Sequence, residues 1–290
     1  MKQRIITGII LFFFVVPFVI FGTYSFAIFI LLLLGLGMYE FLHIKAQANE
    51  TKTPIYVYII AFVLGYLIIY DLPFFEKHFD FQTGLLSYYH INYIYIISAI
   101  AIYGLVLIDK RNKIKDSIYY LASTLYLSLA LKGMLFLRSQ GENINDGSIL
   151  IGYIILVTCL TDIFAYFGGM TCYKLLGESK VHKLSPKISP KKTIEGSIIG
   201  TIVATSLGFL FAILVFKHTS LKVYPWYFYL ILSFALAICG QIGDLLLSYN
   251  KRRYQIKDYS NILPGHGGVL DRIDSLLLNS LIAAILFCIL

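Results

Sequence analysis

Four aspartates of this chain sit where a negative charge is expensive. Asp162, Asp244, Asp271 and Asp274 fall inside, or at the ends of, long apolar runs. An unpaired aspartate in a bilayer-spanning helix costs at least ~2.5 kcal/mol, so each needs a partner or a water-filled cavity. Asp271 and Asp274 are three residues apart and share a helical face, as do Asp244 and Ser248, four apart. The runs that carry them are joined by about 20 residues and are expected to be antiparallel neighbours. Asp244 and Asp271 are thereby expected to meet at one membrane interface. Clustered carboxylates repel unless a cation lies among them, and hard oxygen ligands suit Mg²⁺. Asp244 and Asp271 are therefore candidate metal ligands; the alternative is a set of ion pairs with Lys251, Lys257 or Arg272.

Around these acids stand glycines and cations. Pro264-Gly265-His266-Gly267-Gly268 leads straight into the last apolar run. Glycines allow close backbone approach, and a helix start offers free N–H groups to an anion; a plain tight turn is the simpler reading of the same residues. Lys191 and Lys192, Lys251 to Arg253, and Lys257 could grip phosphates, or serve only as membrane-flanking charge. His266, in this setting, is better suited to donate to a phosphate oxygen than to ligate a metal. Carboxylates, a Gly-rich helix start and basic loops together point to phosphoryl or nucleotidyl chemistry at a membrane interface. Acids and glycines within spans also fit a transporter, but these polar residues crowd one face instead of the bilayer midplane.

The elements that must position this chemistry are membrane helices. Of 290 residues, 58% are hydrophobic and 14% charged, against roughly 25% charged in a soluble domain. A soluble fold could not hide so much apolar surface. Apolar runs long enough to span fall near 5–22, 24–44, 55–72, 91–109, 116–137, 148–169, 195–216, 225–247 and 269–290. The fold class expected is all-α: a polytopic integral membrane helical bundle of about nine transmembrane helices. The first run is followed at once by a second and shows no small-residue cleavage site, so it is read as a helix. With the N-terminus in the cytoplasm, 18 of the 24 Lys and Arg fall in cytoplasmic segments and four on the opposite face. That asymmetry places the N-terminus inside and, after nine spans, the C-terminus outside. The net charge of +8 is thus mainly a topology signal; its cations are spread over separate short loops, which argues against a nucleic-acid surface. Residues 1–110 form an N-terminal transmembrane region, and 111–290 a catalytic one with cytoplasmic loops 170–194 and 248–268. Cys159, Cys172, Cys239 and Cys288 have no metal-ligand spacing and are expected to be buried as small hydrophobes.

One stretch of these residues resembles a known signature. Ser248-x-x-Lys251-Arg252-x4-Lys257-Asp258-x-Ser260-x-x-Leu263-Pro264-x-His266-Gly267-Gly268-x-x-Asp271-Arg272-x-Asp274 is similar, over 27 residues without a gap, to the signature of the phosphatidate cytidylyltransferases. Asp162-x-x-Ala165-Tyr166-x-x-Gly169 and Ser189-Pro190-Lys191-Lys192-Thr193-x-Glu195-Gly196 also resemble that family. Ile194 departs from it, standing where an aromatic residue is usual. The resemblance implies an all-helical, homodimeric enzyme of a bacterial inner (plasma) membrane, requiring Mg²⁺, with its active site facing the cytoplasm. The implied reaction takes CTP from the cytosol and phosphatidate from the cytoplasmic leaflet to CDP-diacylglycerol and pyrophosphate. It puts Asp244 and Asp271 on the metal, with Asp274 and Asp258 as further candidates for the metal or for orienting a cation. Lys251, Arg252, Lys257 and Arg272 would hold the triphosphate or the lipid phosphate, and Lys191 and Lys192 would gather the anionic substrates. His266 joins the catalytic candidates. Asp162, Ser189, Thr193, Glu195, Ser248, Gly267 and Gly268 join the substrate-binding ones. A CTP-dependent polyprenol or phytol kinase is the rival enzyme, and the complete signature argues against it.

Overall fold

A computed structural model of the chain describes residues 2–48, 53–70, 97, 100–102, 104, 114–177 and 180–289. Among the described residues eight long α-helices carry the fold: α1 (Lys2–Ile20), α2 (Thr23–Gln47), α3 (Ile55–Tyr70), α4 (Ile114–Arg138), α5 (Ile144–Leu176), α6 (Ile194–Phe216), α7 (Trp226–Arg253) and α8 (Leu270–Ile289). Six of them are long and apolar enough to cross a membrane: α2 and α4 to α8. The chain is a polytopic helical membrane protein. The expected span at 91–109 lies mostly outside the described residues.

Two expected boundaries are corrected. The sixth apolar run does not end near residue 169: α5 continues to Leu176, so residues 170–176, expected in the loop, are helical. The eighth likewise continues to Arg253, so Ser248, Lys251 and Arg252 ride on α7. The two polar loops shrink to 177–193 and 254–269. The first of them holds a small antiparallel hairpin, β1 (Lys183–Ser185) with β2 (Ser189–Thr193), paired Lys183 to Thr193 and Ser185 to Ser189. It is the sole sheet among the described residues.

Small residues set the closest helix contacts. Gly196, Gly200, Ala204, Gly208 and Ala212 recur every four residues on α6 and are buried. Such a stripe lets backbones approach where water is not available to drive packing. It seats α6 on α5 and α7: Gly200 lies against Ala165, and Gly208 against Val157 and Ser233. Tyr153 and Ser233 exchange a buried 2.6 Å hydrogen bond between α5 and α7, and Asn279 of α8 donates to Thr158 of α5 at 2.7 Å. The other side of the bundle packs α2 and α3 on α4, with Gly65 beside Leu34 and Ser128. Large apolar side chains of α6, among them Ile198, Ile202 and Leu210, face outward, as do Cys159 and Cys288. Cys159 and Cys288 are therefore not core residues, while Cys172 and Cys239 are half-buried.

Candidate active site

The polar residues gather at one end of the bundle, where α5 and α7 finish and α6 and α8 begin. A cavity of about 660 Å³ opens there, a size usual for small-molecule sites. Asp162, Ala165, Tyr166, Gly169, Met170 and Tyr173 of α5 form one wall. The hairpin supplies Lys183, Leu184, Pro190, Lys191, Lys192 and Thr193. Gln241 and Asp244 of α7 face Asp271, Asp274 and Ser275 of α8, with Ser197 of α6 between.

Local geometry explains how each wall is held. Thr193 ends β2 with extended backbone and is the N-cap of α6, its hydroxyl accepting from Gly196 N–H at 3.1 Å. Glu195, in the first turn, accepts from the His182 backbone N–H at 3.0 Å and contacts its ring Nδ1 at 2.8 Å. Glu195 thus closes the base of the hairpin instead of reaching into the cavity. Gln241 ties α7 to α6: it accepts from Ser197 Oγ at 2.5 Å and donates to Thr201 Oγ1 at 2.9 Å. Ile194 is exposed and its N–H donates to His182 O at 2.9 Å, so the missing aromatic removes no packing inside the site.

Two ion pairs divide the acids. Lys192 is paired with Asp244 in the cavity, with side chains 26% and 24% exposed. Ser248 adds a hydrogen bond to Asp244 at 3.1 Å. Lys251 is paired with Asp271 at 2.7 Å, with side chains 9% and 4% exposed. Both oxygens of Asp271 are committed: Oδ1 to Lys251, and Oδ2 to the backbone N–H groups of Tyr259 (2.8 Å) and Gly268 (2.9 Å). Among the described residues Asp274 accepts from the adjacent Ser275 alone, at 2.8 Å through Oδ1, and it lines the cavity.

The structure therefore brings Asp162, Asp244, Asp271, Asp274, Lys191, Lys192 and Thr193 to one cavity. Several other expected residues stand elsewhere. Lys251 is buried behind the cavity, its ammonium also 5.5 Å from the Tyr259 ring, and does not line it. Arg252 donates to the carbonyls of Ile188 (3.3 Å) and Ile256 (3.0 Å), pinning hairpin to loop. Lys257, Asp258 and Arg272 are exposed and do not line the cavity. Ser189 opens β2 outside it. His266 contacts Thr7 Oγ1 of α1 through Nδ1 at 2.5 Å.

The glycine-rich turn also differs from its expected role. Leu263 N–H donates to Gly267 O and His266 N–H to Leu263 O, closing a tight turn in which Gly267 has φ +83°, a left-handed backbone that favours glycine. The first N–H groups of α8 are already taken. Gly268 donates to Asp271, and Val269 and Leu270 donate to Glu40 of α2 at 2.8 and 2.7 Å. In this arrangement the N–H groups of Gly268, Val269 and Leu270 are held by the protein's own carboxylates and are not free for a phosphate.

Sequence reasoning passed over Lys183, Ser197, Gln241, Tyr173 and Glu40. Gln241 carried a signal, since it stands three residues before Asp244 and so on the same helical face. Glu40 carried a stronger one: an acid within the second apolar run, under the same cost that singled out the aspartates.

Fold and site together define a polytopic membrane protein whose acidic and basic residues meet in one cavity at the end of its helices. A profile of the cytidylyltransferase family matches residues 2–290. A phosphatidate cytidylyltransferase of Bacillus subtilis is 30% identical over 278 residues, covering 96% of this chain and 94% of its own. One from Rickettsia bellii is 41% identical over 172 residues, 59% of this chain and 68% of its own, and one from Rickettsia typhi is 36% identical over 171 residues, 58% and 70%. The chain belongs to the cytidylyltransferase family.

Proposed function

We propose that the chain transfers the cytidylyl group of CTP to phosphatidate, releasing pyrophosphate and leaving CDP-diacylglycerol in the membrane. The observation that carries this is the cavity itself. Asp162, Asp244 and Asp274 face Lys183, Lys191 and Lys192 at one end of membrane-spanning helices, where a lipid phosphate and a soluble nucleotide can both arrive. A non-bridging oxygen of the lipid phosphate attacks the α-phosphorus of CTP. The bond from that phosphorus to the oxygen bridging to the β-phosphorus breaks, and pyrophosphate departs with its electron pair. A phosphate monoester is already an anionic nucleophile near pH 7, so no strong base is needed. The lysines of the hairpin neutralise incoming phosphate charge and orient it, as charge-assisted hydrogen bonds do.

Mg²⁺ belongs to the same reading. No three His, Cys, Asp or Glu residues converge as a metal cage among the described residues. Mg²⁺, however, is usually held by one or two carboxylates together with substrate phosphates. The hard oxygens of Asp244, with Asp274 and Asp162 beside it, fit that donor set. Asp271 fits less well, because both its oxygens are already committed. Bound there, the ion would supply charge neutralisation on the phosphates. Asp244 would then exchange Lys192 for the ion, freeing the lysine toward the triphosphate.

Nine spans, with the N-terminus and the site in the cytoplasm, complete the proposal. The Thr53–Leu42 hydrogen bond (2.7 Å) and the Lys45–Asp116 ion pair support it, since together they put the starts of α3 and α4 at the same end of α2. The cation asymmetry supports the orientation. Residues 1–110 would brace the catalytic region 111–290. A homodimer in a bacterial inner membrane is expected on the resemblance. The deciding experiment is radiolabelled CTP with membranes containing the protein. Labelled CDP-diacylglycerol dependent on phosphatidate is expected; label transferred as phosphate to an alcohol, or no lipid product, would overturn the proposal.

A further inference from the structure

Glu40 is buried completely in the middle of the protein's polar end, although it belongs to α2, in the half of the chain that lines none of the cavity. Its Oε1 accepts from Ser260 Oγ at 2.6 Å and from Val269 N–H at 2.8 Å; its Oε2 accepts from Leu270 N–H at 2.7 Å. Those two N–H groups belong to the start of α8, where helical donors have no partner within the helix. Glu40 therefore caps α8 from another helix, across 230 residues of sequence. A Cβ built on Gly268 would stand 2.6 Å from Oε1, so only glycine admits the carboxylate at this position. The same helix also grips the loop before α8. Gln47 donates to Tyr259 O at 2.5 Å, and the Phe41 ring meets the Tyr259 ring edge-on at 5.5 Å. Tyr259 and Gly268, held by α2 on one side, donate through their backbones to Asp271 on the other. Asp271, Asp274 and Ser275 follow within two turns and line the cavity.

We propose that Glu40 is a positioning residue for the transfer reaction: by holding Ser260, Val269 and Leu270 it fixes the start of α8, and with it the place of Asp271 and Asp274 in the cavity. This rests on the nucleotidyl-transfer reading above. A carboxylate is suited to the task because its two oxygens accept several donors at once, at a helix end whose dipole favours negative charge. Glutamine at the same place would keep the volume, but would turn an N–H₂ group toward one of these donors.

The test uses the full chain in detergent with phosphatidate. Glu40→Gln and Glu40→Ala are expected to lower kcat about 100-fold, the scale of a displacement of about 1 Å at a reacting centre. KM for CTP should change less than about threefold, since the residue touches no substrate. Hydrogen exchange should quicken across residues 259–272 and stay unchanged in α5 and α6. Gly268→Ala should be severe beside Glu40 yet cost little more in the Glu40→Ala background, where the carboxylate it collides with is gone. The proposal is overturned if Glu40→Gln keeps kcat within about threefold of the wild type. It is equally overturned if both Glu40 variants lose activity only in step with lost folded protein, or if Gly268→Ala costs the same in both backgrounds. A wild-type protein that makes no CDP-diacylglycerol would instead sink the underlying reading, while the exchange measurement would still report on the cap.

Discussion

Lys191 and Lys192 are neighbours in sequence and separable in function. Lys191 is exposed at the rim of the cavity, whereas Lys192 points inward to Asp244, with Asp162 and Asp274 on the same walls. Replacing Lys192 with Ala takes from Asp244 its ion-pair partner and from Asp162 a neighbouring cation, and removes a positive charge from the path of a tetra-anionic triphosphate. A pair of unit charges about 4 Å apart at an effective dielectric constant of 20 is worth ~4 kcal/mol. Both side chains are about a quarter exposed, so solvent screening returns roughly half. The remaining ~2 kcal/mol corresponds to about 30-fold in kcat/KM. Lys191→Ala removes only a mobile rim charge and should raise KM by no more than about threefold, with kcat unchanged. The assay is CDP-diacylglycerol formation at varied CTP, in detergent and at fixed ionic strength, for both single variants. Equal losses from the two, or a Lys192→Ala enzyme within about threefold of the wild type, would refute the placement of Lys192 inside the site.

Asp244→Asn and Asp274→Asn should each lower kcat by about 100-fold or more while the melting curve stays near that of the wild type, because the charge removed is the one a hard cation needs; titration with Mg²⁺ should show weakened dependence, and normal activity in either would release that residue from the metal. Lys251→Met should act on stability, not on KM: it strands Asp271 in a buried place, a loss of ~3–5 kcal/mol, visible as a lowered melting temperature and less folded protein. A reporter fused after Leu290 should lie on the opposite side of the membrane from one inserted near Lys113; finding both on the same side would refute the nine-span topology.

Six of the expected spans were legible because twenty-residue apolar runs have few other readings in a chain this poor in charge. Their ends were not. Residues 170–176, with Lys174, and 248–253, with Lys251 and Arg252, follow the apolar runs and look like loop, yet both continue a helix at the site. The reason is physical: a helix that leaves the apolar layer inside a protein cavity needs no apolar residues on its cavity side. The chemistry of the cavity was legible in kind, through acids in apolar runs beside basic loops. Partner choice was not. Spacing put Asp244 and Asp271 together, but could not tell that Lys192, from a hairpin 52 residues upstream, would take the first and Lys251 the second. The Gly267-Gly268 pair was legible as a tight turn, and its second residue proved to be shaped by Glu40, which no local pattern around the turn contains.

The cost of burying a carboxylate in a membrane protein locates polar machinery, but the cost alone does not sort structure from chemistry. The number of uncommitted oxygens does. Glu40 and Asp271 each accept three hydrogen bonds or ion-pair contacts from fixed groups, mostly backbone N–H of the same short segment. Such carboxylates have little capacity left for a mobile ligand, and moving them would break several contacts at once. Among the described residues Asp244 instead meets two side chains, Lys192 and Ser248, both of which can rotate away, and Asp274 meets its neighbour Ser275 alone. An acid that must exchange partners during a reaction belongs to the second kind. By this reasoning the proposed role of Asp271, for all its place in the signature, is to hold Tyr259, Gly268 and Lys251 in register, and the exchangeable charge of the site is assigned to Asp244, Asp274 and Lys192.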